Sequence, residues 1–102
     1  MKPEKREPEL QVMTWYNKED WDQLKTLFSD GHLLPSSHES WLQMAEKAKK
    51  SAEEEGDIVV TVTIDTVLFP DWCHEHNRPT DAESRTAFAI ETVKKQQFLN
   101  TV

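Results

Sequence analysis

The clearest pattern along the chain is a strict alternation of side chains between Asp57 and Asp65. Positions 58, 60, 62 and 64 are apolar and point one way, whereas a valine and two threonines at 59, 61 and 63 point the other way. β-Branched residues at a period of two are typical of a half-buried strand. The N–H and C=O groups of a lone strand need partners, so this strand must pair with something.

Two partners for this strand are open. One is the stretch 11–16 (QVMTWY), which alternates weakly, and the other is the same strand in a second copy of the chain. Because 11–16 is a weak strand candidate, we expect the second partner. The predicted fold is therefore mainly α with one β-strand, in the order α-α-β-α-α, and the strand pairs with its two-fold mate.

Two helices are predicted before the strand. Asn17 is expected to cap the first, Gly31 is expected to follow its end, and its apolar residues recur at helical spacing: Trp21, Leu24, Leu27 and Phe28. A capping box that begins at Ser36 opens the second helix, which is expected to end just before Gly56.

Two more helices are predicted after the strand. Pro70 leaves the start of the third helix open between a distorted first turn and a start near Phe69. Asn77 is expected just past its end, and the capping box at Thr80 opens a last helix to about Gln97.

Length and charge favour a small soluble domain. The chain has 102 residues and a net charge of −7, and it contains no apolar run long enough to cross a membrane. We expect a disordered tail at 1–10, an N-terminal helical hairpin at 11–56 and a dimerisation module at 57–102. The single cysteine and the absence of a signal peptide at the charged N-terminus predict a cytoplasmic protein.

The chemistry-bearing residues do not form a catalytic pattern. Cys73 and His76 share one helix face, but a zinc site needs about four convergent ligands and no second spaced pair is present. Nucleophile motifs, phosphate-binding loops and dinucleotide-binding turns are also missing. We therefore expect no metal, no cofactor and no enzyme activity.

Residues 57–97 resemble the ribbon-helix-helix family of bacterial DNA-binding proteins. The likeness lies in a short threonine-rich strand at 59–64 that ends in Asp65, a helix of roughly ten residues, a tight turn at 77–79, a capped start at Thr80 and a longer amphipathic helix. In that family two strands pair across a two-fold axis into a ribbon that lies in the major groove. The whole chain is also faintly similar to small uncharacterised bacterial proteins of plasmid or prophage type.

The resemblance implies roles for two groups of residues. The dimer core would contain Val60, Val62, Ile64, Ile90 and Val93. The surface that contacts DNA would contain Val59, Thr61, Thr63, Arg78, Thr80 and Arg85. The threonines would read base edges, and the helix start at Thr80 would hold a phosphate with help from the arginines.

Two functions remain open from the sequence. The first is a small homodimeric transcriptional regulator that binds double-stranded DNA, for example one that resembles an antitoxin. In this hypothesis residues 17–56 dock on the dimer or hold another protein. The second is a non-enzymatic interaction or inhibitor protein of a mobile element that does not bind DNA. The two threonines of the strand favour the first. The seven acids and four bases from residue 57 onward, a net charge of −3, favour the second.

Overall fold

The computed structural model describes the backbone of residues 7–100 and the side chains of residues 7–97. In chain order its elements are β1 (Leu10–Trp15), α1 (Trp21–Leu27), α2 (His38–Glu54), β2 (Ile58–Thr63), α3 (Leu68–Glu75) and α4 (Ala82–Asn100). Short 3-10 turns at Lys18–Asp20 and Gly31–Leu33 flank α1. The described chain is thus mainly helical, as the sequence predicts, but it contains two strands.

The two strands form a parallel sheet in which Leu10 lies opposite Ile58 and Trp15 lies opposite Thr63. The predicted single strand and its α-α-β-α-α order are therefore wrong, because residues 10–15 pair with 58–63 within the chain. Parallel strands need a long crossover connection, and α1 and α2 supply it. Strand propensity in 10–15 is weak, so the pairing depends on this tertiary placement.

A buried carboxylate holds the start of β1. The backbone N–H of Glu9 donates to Asp57 Oδ1 at 3.1 Å, and Gln11 Nε2 donates to Asp57 Oδ2 at 2.6 Å. Leu10, which the sequence placed in the tail, is consequently the first residue of β1. Residues 1–6 of the predicted disordered tail lie outside the described residues.

The ends of the helices follow local capping chemistry. α2 begins one residue later than its capping box suggested, since the Ser37 hydroxyl accepts from the Ser40 N–H at 3.1 Å. Gly56 follows α2 with a φ of 98°, and Asn77 follows α3 with a φ of 54°. These two predicted helix ends are confirmed, because these left-handed conformations favour glycine and asparagine. The end predicted at Gly31 is wrong, because α1 already ends at Leu27 and Gly31 begins a 3-10 turn.

The start of α3 depends on Asp65. Its Oδ1 accepts from the backbone N–H groups of Val67 and Leu68, each at 2.7 Å, and these two bonds lower the pKa of Asp65. Pro70 is the third residue of the helix, where a backbone N–H would have no helical acceptor. The helix therefore accepts this proline without a break.

Aromatic side chains make up much of the core. The ring of Tyr16 lies 4.9 Å from Trp41 and 6.0 Å from Trp21, measured between centroids, and Phe69 lies 5.4 Å from Phe88. Against this core, α4 packs on β1 and α2 packs on β2. The predicted first two helices thus belong to the same core as the C-terminal half.

Candidate interaction surfaces

The predicted DNA contact Arg85 lies inside the fold. Its side chain, on α4, is 4% exposed, and its Nη1 donates to Asp30 Oδ1 at 2.7 Å. Its Nε donates to the Tyr16 hydroxyl at 3.0 Å, and its guanidinium lies 4.1 Å from the centroid of Phe28. These contacts direct the guanidinium towards Asp30 and Tyr16 rather than towards solvent.

Asp30 is held ionised by the same contacts. Burial acts to raise the pKa of Asp30, but the hydrogen bond and charge of Arg85, together with the backbone N–H of Ala82, lower it overall. In turn, burial acts to lower the pKa of Arg85, and its bonds to Asp30 and Tyr16 outweigh that effect and raise it. The pair is therefore charged on both sides at neutral pH.

Two carboxylates occupy the start of α4. The backbone N–H of Ala82 donates to Asp30 Oδ2 at 3.0 Å, and the N–H of Ser84 donates to Asp81 Oδ1 at 3.0 Å. A helix N-terminus attracts anions, and the resemblance assigned a phosphate to this one. In the structure, anions from the chain itself fill that role.

Thr80 and Arg78, the other two predicted contacts in this region, differ in their surroundings. The Thr80 hydroxyl donates to the Leu27 carbonyl at 2.9 Å and accepts from the Ser29 N–H at 3.0 Å, so it joins the loop after α1 to the start of α4. Arg78 is exposed, and its guanidinium lies 5.5 Å from the centroid of Trp72. Of the two predicted arginines, Arg78 is thus the one that faces solvent.

Val59, Thr61 and Thr63 lie along the outer side of β2. The Ile58 N–H donates to the carbonyl of Glu9, just before β1, and the Ile64 N–H donates to the carbonyl of Trp15, both at 2.9 Å. Bonded positions alternate along a parallel pair, so residues 59, 61 and 63 direct their backbone groups away from β1. Within residues 7–100 no hydrogen bond joins these groups to another segment. We call this row of backbone groups the β2 edge.

The side chains of the three residues that form the β2 edge are partly or fully accessible to solvent. Thr61 and Thr63 are exposed and Val59 is half-buried. On β1, positions 10, 12 and 14 hold the corresponding outward backbone groups; Leu10 is exposed, but the other two residues are half-buried. The β2 edge is therefore the more open side of the two-stranded sheet.

The residues predicted as a dimer core differ in burial within the single chain. Ile64 and Val93 are buried, Val60 and Val62 are half-buried, and Ile90 is exposed. Ile64 already packs in the core of its own chain with Phe69 and Cys73. Of the predicted set, Ile90 thus has the largest surface left for a partner.

Cys73 and His76, which the sequence placed on one helix face without predicting a metal site, have separate environments. Cys73 is buried, and burial raises the pKa of its thiol. His76 is exposed, stacks on Trp72 at 4.4 Å between centroids, and places Nδ1 2.8 Å from the Trp72 carbonyl. Among residues with described side chains, no group of three or more His, Cys, Asp or Glu is arranged to hold a metal.

A cleft of about 420 Å³ lies between α3 and α4. Its lining is formed by Trp72, His76, Arg78, Ala87, Ile90, Glu91 and Lys94. We call it the α3–α4 cleft. The indole N–H of Trp72 donates to Glu91 Oε2 at 2.9 Å, and Lys95 Nζ lies 3.4 Å from the same oxygen. The hydrogen bond holds the indole of Trp72 in place, and the carboxylate of Glu91 forms an ion pair with Lys95.

A second, apolar cleft of about 280 Å³ adjoins it. Leu10, Val12, Ile90, Val93, Lys94 and Gln97 line this second cleft, so Ile90 and Lys94 belong to both. Leu10 is 46% exposed and Ile90 is 38% exposed. Beside Leu10 on β2, Ile58 is 61% exposed. Apolar side chains thus extend the α3–α4 cleft towards the beginning of the sheet.

The sequence contained little signal for these surfaces. Asp30, Tyr16 and Arg85 are far apart along the chain, and nothing in the sequence pattern pairs them. From the sequence, Ile90 is predicted only as a dimer-core residue. The observation that could have indicated the cleft is the position of Arg78 and Lys94 near apolar residues of two consecutive helices.

Comparison with protein-family models, with curated proteins and with solved structures finds no match for this chain. The ribbon-helix-helix resemblance consequently stays an expectation from the sequence. None of the helices described here has both the length and the apolar character needed to cross a membrane.

Proposed function

We propose that this protein is a non-enzymatic protein-interaction protein that forms a homodimer through its β2 edge. The observation that supports the proposal is the open, uncharged row at Val59, Thr61 and Thr63. Soluble proteins usually protect an edge strand with lysine, proline or a covering segment, because its free N–H and C=O groups pair readily with another strand. The lone, buried Cys73 suits a reducing cytoplasm as the place where this protein acts.

An antiparallel register centred on Thr61 satisfies a two-fold axis. It places Thr61 opposite its own copy and Val59 opposite Thr63 of the second copy, so every pair is β-branched. The two parallel sheets would then join into one of four strands, which is a common sheet size. The central two strands would form the ribbon that the sequence suggested, with β1 added on each side.

Size-exclusion chromatography with light scattering tests the dimer. We expect the wild-type chain to be a dimer at low micromolar concentration and Thr61→Lys to be a monomer, because two lysines would face each other across the axis. Thr26→Lys, on an exposed position of α1, is the matched control and is expected to stay dimeric. A monomeric wild type, or a dimer that tolerates Thr61→Lys, would exclude the β2 edge as the interface.

The DNA-binding regulator is the second candidate function. The exposure of Thr61 and Thr63 favours it, because their hydroxyl groups can exchange hydrogen bonds with base edges and their methyl groups can contact thymine. In this version residues 17–56 dock on the dimer or hold a second protein. The net charge of −7 predicts weak non-specific binding, so affinity must depend on sequence.

Mobility shifts with labelled fragments from around the gene's own promoter, at about 50 mM salt, separate the two candidates. A fragment-specific shift that is lost when Thr61 and Thr63 are both changed to alanine would establish the regulator. The absence of a shift with every fragment, from a chain that is dimeric, would support the interaction protein.

A further inference from the structure

We propose that the α3–α4 cleft binds a short acidic and apolar peptide segment of another protein. This inference goes beyond the β2-edge dimer and depends on other residues, namely those on the outer sides of α3 and α4. In the expected complex, carboxylates of the partner contact the cations of the cleft and its apolar side chains enter the cleft.

Positive charge is concentrated around the α3–α4 cleft. From residue 57 onward the chain has four bases, and the buried Arg85 is engaged by Asp30. The other three, Arg78, Lys94 and Lys95, lie in or beside the α3–α4 cleft. In a chain of net charge −7 this is a local concentration of positive charge, and such a patch favours an anionic partner.

The one carboxylate of the lining does not cancel this charge. Glu91 accepts from the Trp72 indole and is paired with Lys95. The hydrogen bond from Trp72 lowers the pKa of Glu91, burial opposes that effect, and Lys95 lowers it further. Exposed acids elsewhere on the two helices, Asp71, Glu75 and Glu83, do not line the cleft. Arg78 and Lys94 are thus the cations left for a ligand.

The apolar part of the lining selects a peptide rather than a nucleic acid. Trp72, Ala87 and Ile90 offer apolar surface, and Leu10 extends it through the adjoining cleft. Apolar and aromatic side chains with cations at the rim are typical of peptide-binding grooves. A nucleic acid would need several phosphate contacts to overcome the repulsion of the whole chain, and two free cations supply few.

The side chains of the cleft are held in position before a ligand arrives. His76 stacks on Trp72 from one side, Arg78 lies 5.5 Å from the same ring, and Phe88 makes an edge contact with it at 5.5 Å. Side chains that are already ordered lose less entropy on binding. The Trp72 ring is therefore a fixed apolar surface with a cation beside it.

Peptide display on phage, selected against the full-length chain, tests the proposal. We expect enriched peptides to combine aspartate or glutamate with leucine, phenylalanine or tryptophan. The most enriched sequence, made as a fluorescent peptide, then gives an affinity by anisotropy. We expect this affinity to fall when salt is raised from about 50 to 500 mM, because the cations are at the rim.

Charge reversal locates the site. The double variant Arg78→Glu with Lys94→Glu should lower the affinity for the peptide by about tenfold or more. The control double variant, Lys47→Glu with Lys50→Glu, lies on exposed positions of α2 and changes the net charge of the chain by the same amount. It should lower the affinity for the peptide by less than about twofold. Ile90→Ser should lower the affinity for the peptide about fivefold, because an apolar contact is lost. Circular dichroism confirms that each variant remains folded.

Three results would overturn the proposal. They are the enrichment of basic or uncharged peptides, equal losses in the two double variants, and a change in oligomeric mass caused by Arg78→Glu with Lys94→Glu, which would make a second copy the occupant. Thr61→Lys should leave peptide affinity unchanged, so a failed dimer prediction and a failed cleft prediction give different results.

Discussion

Asp30 and Arg85 are separated by 55 residues in sequence, yet Arg85 Nη1 donates to Asp30 Oδ1 at 2.7 Å. The second oxygen of Asp30 accepts from the Ala82 N–H at the start of α4, and Arg85 also donates to the Tyr16 hydroxyl that follows β1. One ion pair thus joins the loop after α1, the end of β1 and α4. It connects the N-terminal and C-terminal halves of the chain.

This ion pair is expected to stabilise the fold. Arg85→Met should lower the free energy of unfolding by about 3 kcal/mol, because it leaves Asp30 without its main partner. Combined with Asp30→Asn in a double-mutant cycle, urea unfolding should give a coupling energy of at least about 1 kcal/mol. Lys95→Met removes an exposed pair with Glu91 and should cost under about 0.5 kcal/mol. Equal losses in the free energy of unfolding for Arg85→Met and Lys95→Met would contradict this role.

Stability should fall in acid. The folded-state pKa values of Asp30, Asp65 and Glu91 are all lowered, so each contributes stability above its unfolded pKa of about 4. That stability is lost as the pH falls through the folded pKa values. Urea unfolding between about pH 6 and pH 2 should show the decline. Asp30→Asn should make it shallower, and an unchanged slope would argue against the lowered pKa of Asp30.

The two glycines should respond differently to alanine. A Cβ at Gly31 would lie 1.9 Å from the Lys25 carbonyl oxygen, so backbone would have to move. Gly56 has open space around it, but its φ of 98° strains any other residue. We expect Gly31→Ala to cost about 3 kcal/mol and Gly56→Ala about 1–2 kcal/mol. Thermal denaturation of both variants checks the order, and a reversed order would mean that the loop after α1 moves easily.

Substitutions at Ile58, at the start of β2, and at Ile64, just after its end, should differ in their effect on stability. Ile64 is 0% exposed and Ile58 is 61% exposed. Ile64→Ala should cost about 3–4 kcal/mol because it leaves a cavity in the core that contains Phe69 and Cys73. Ile58→Ala should lie within about 0.5 kcal/mol of wild type in the monomer. Chemical denaturation at a concentration below the dimer transition measures both.

Cys73 should be unreactive in the folded protein. It is buried and its thiol pKa is raised by that burial, so little reactive thiolate is present at neutral pH. A thiol reagent should modify it only in denaturant, and Cys73→Ala should cost about 1 kcal/mol with no change in zinc content. Rapid modification under native conditions, or zinc lost in the variant, would contradict a structural role.

Local chemistry explains what could be predicted. Gly56 and Asn77 end their helices as expected, because each backbone needs a conformation that few residues adopt. The alternation at 58–63 also gave the correct strand, since β-branched residues at a period of two are unambiguous. Of the two partners left open for that strand, the expected one was the second copy, whereas the structure pairs it with 10–15, because a parallel pair has no turn between its strands to mark it in the sequence.

The sequence by itself determined that four helices form, the approximate positions of α2, α3 and α4, the strand after Gly56 and the acidic balance of the chain, because propensity, capping and charge act within a few residues. Only the tertiary structure decided that β1 pairs with β2, that Arg85 lies buried against Asp30 while Arg78 stays exposed, and that Ile90 and Lys94 meet Trp72 in a cleft. These outcomes depend on contacts between residues far apart in the chain. Their geometry arises from packing and from the satisfaction of buried polar groups, and no local pattern encodes it.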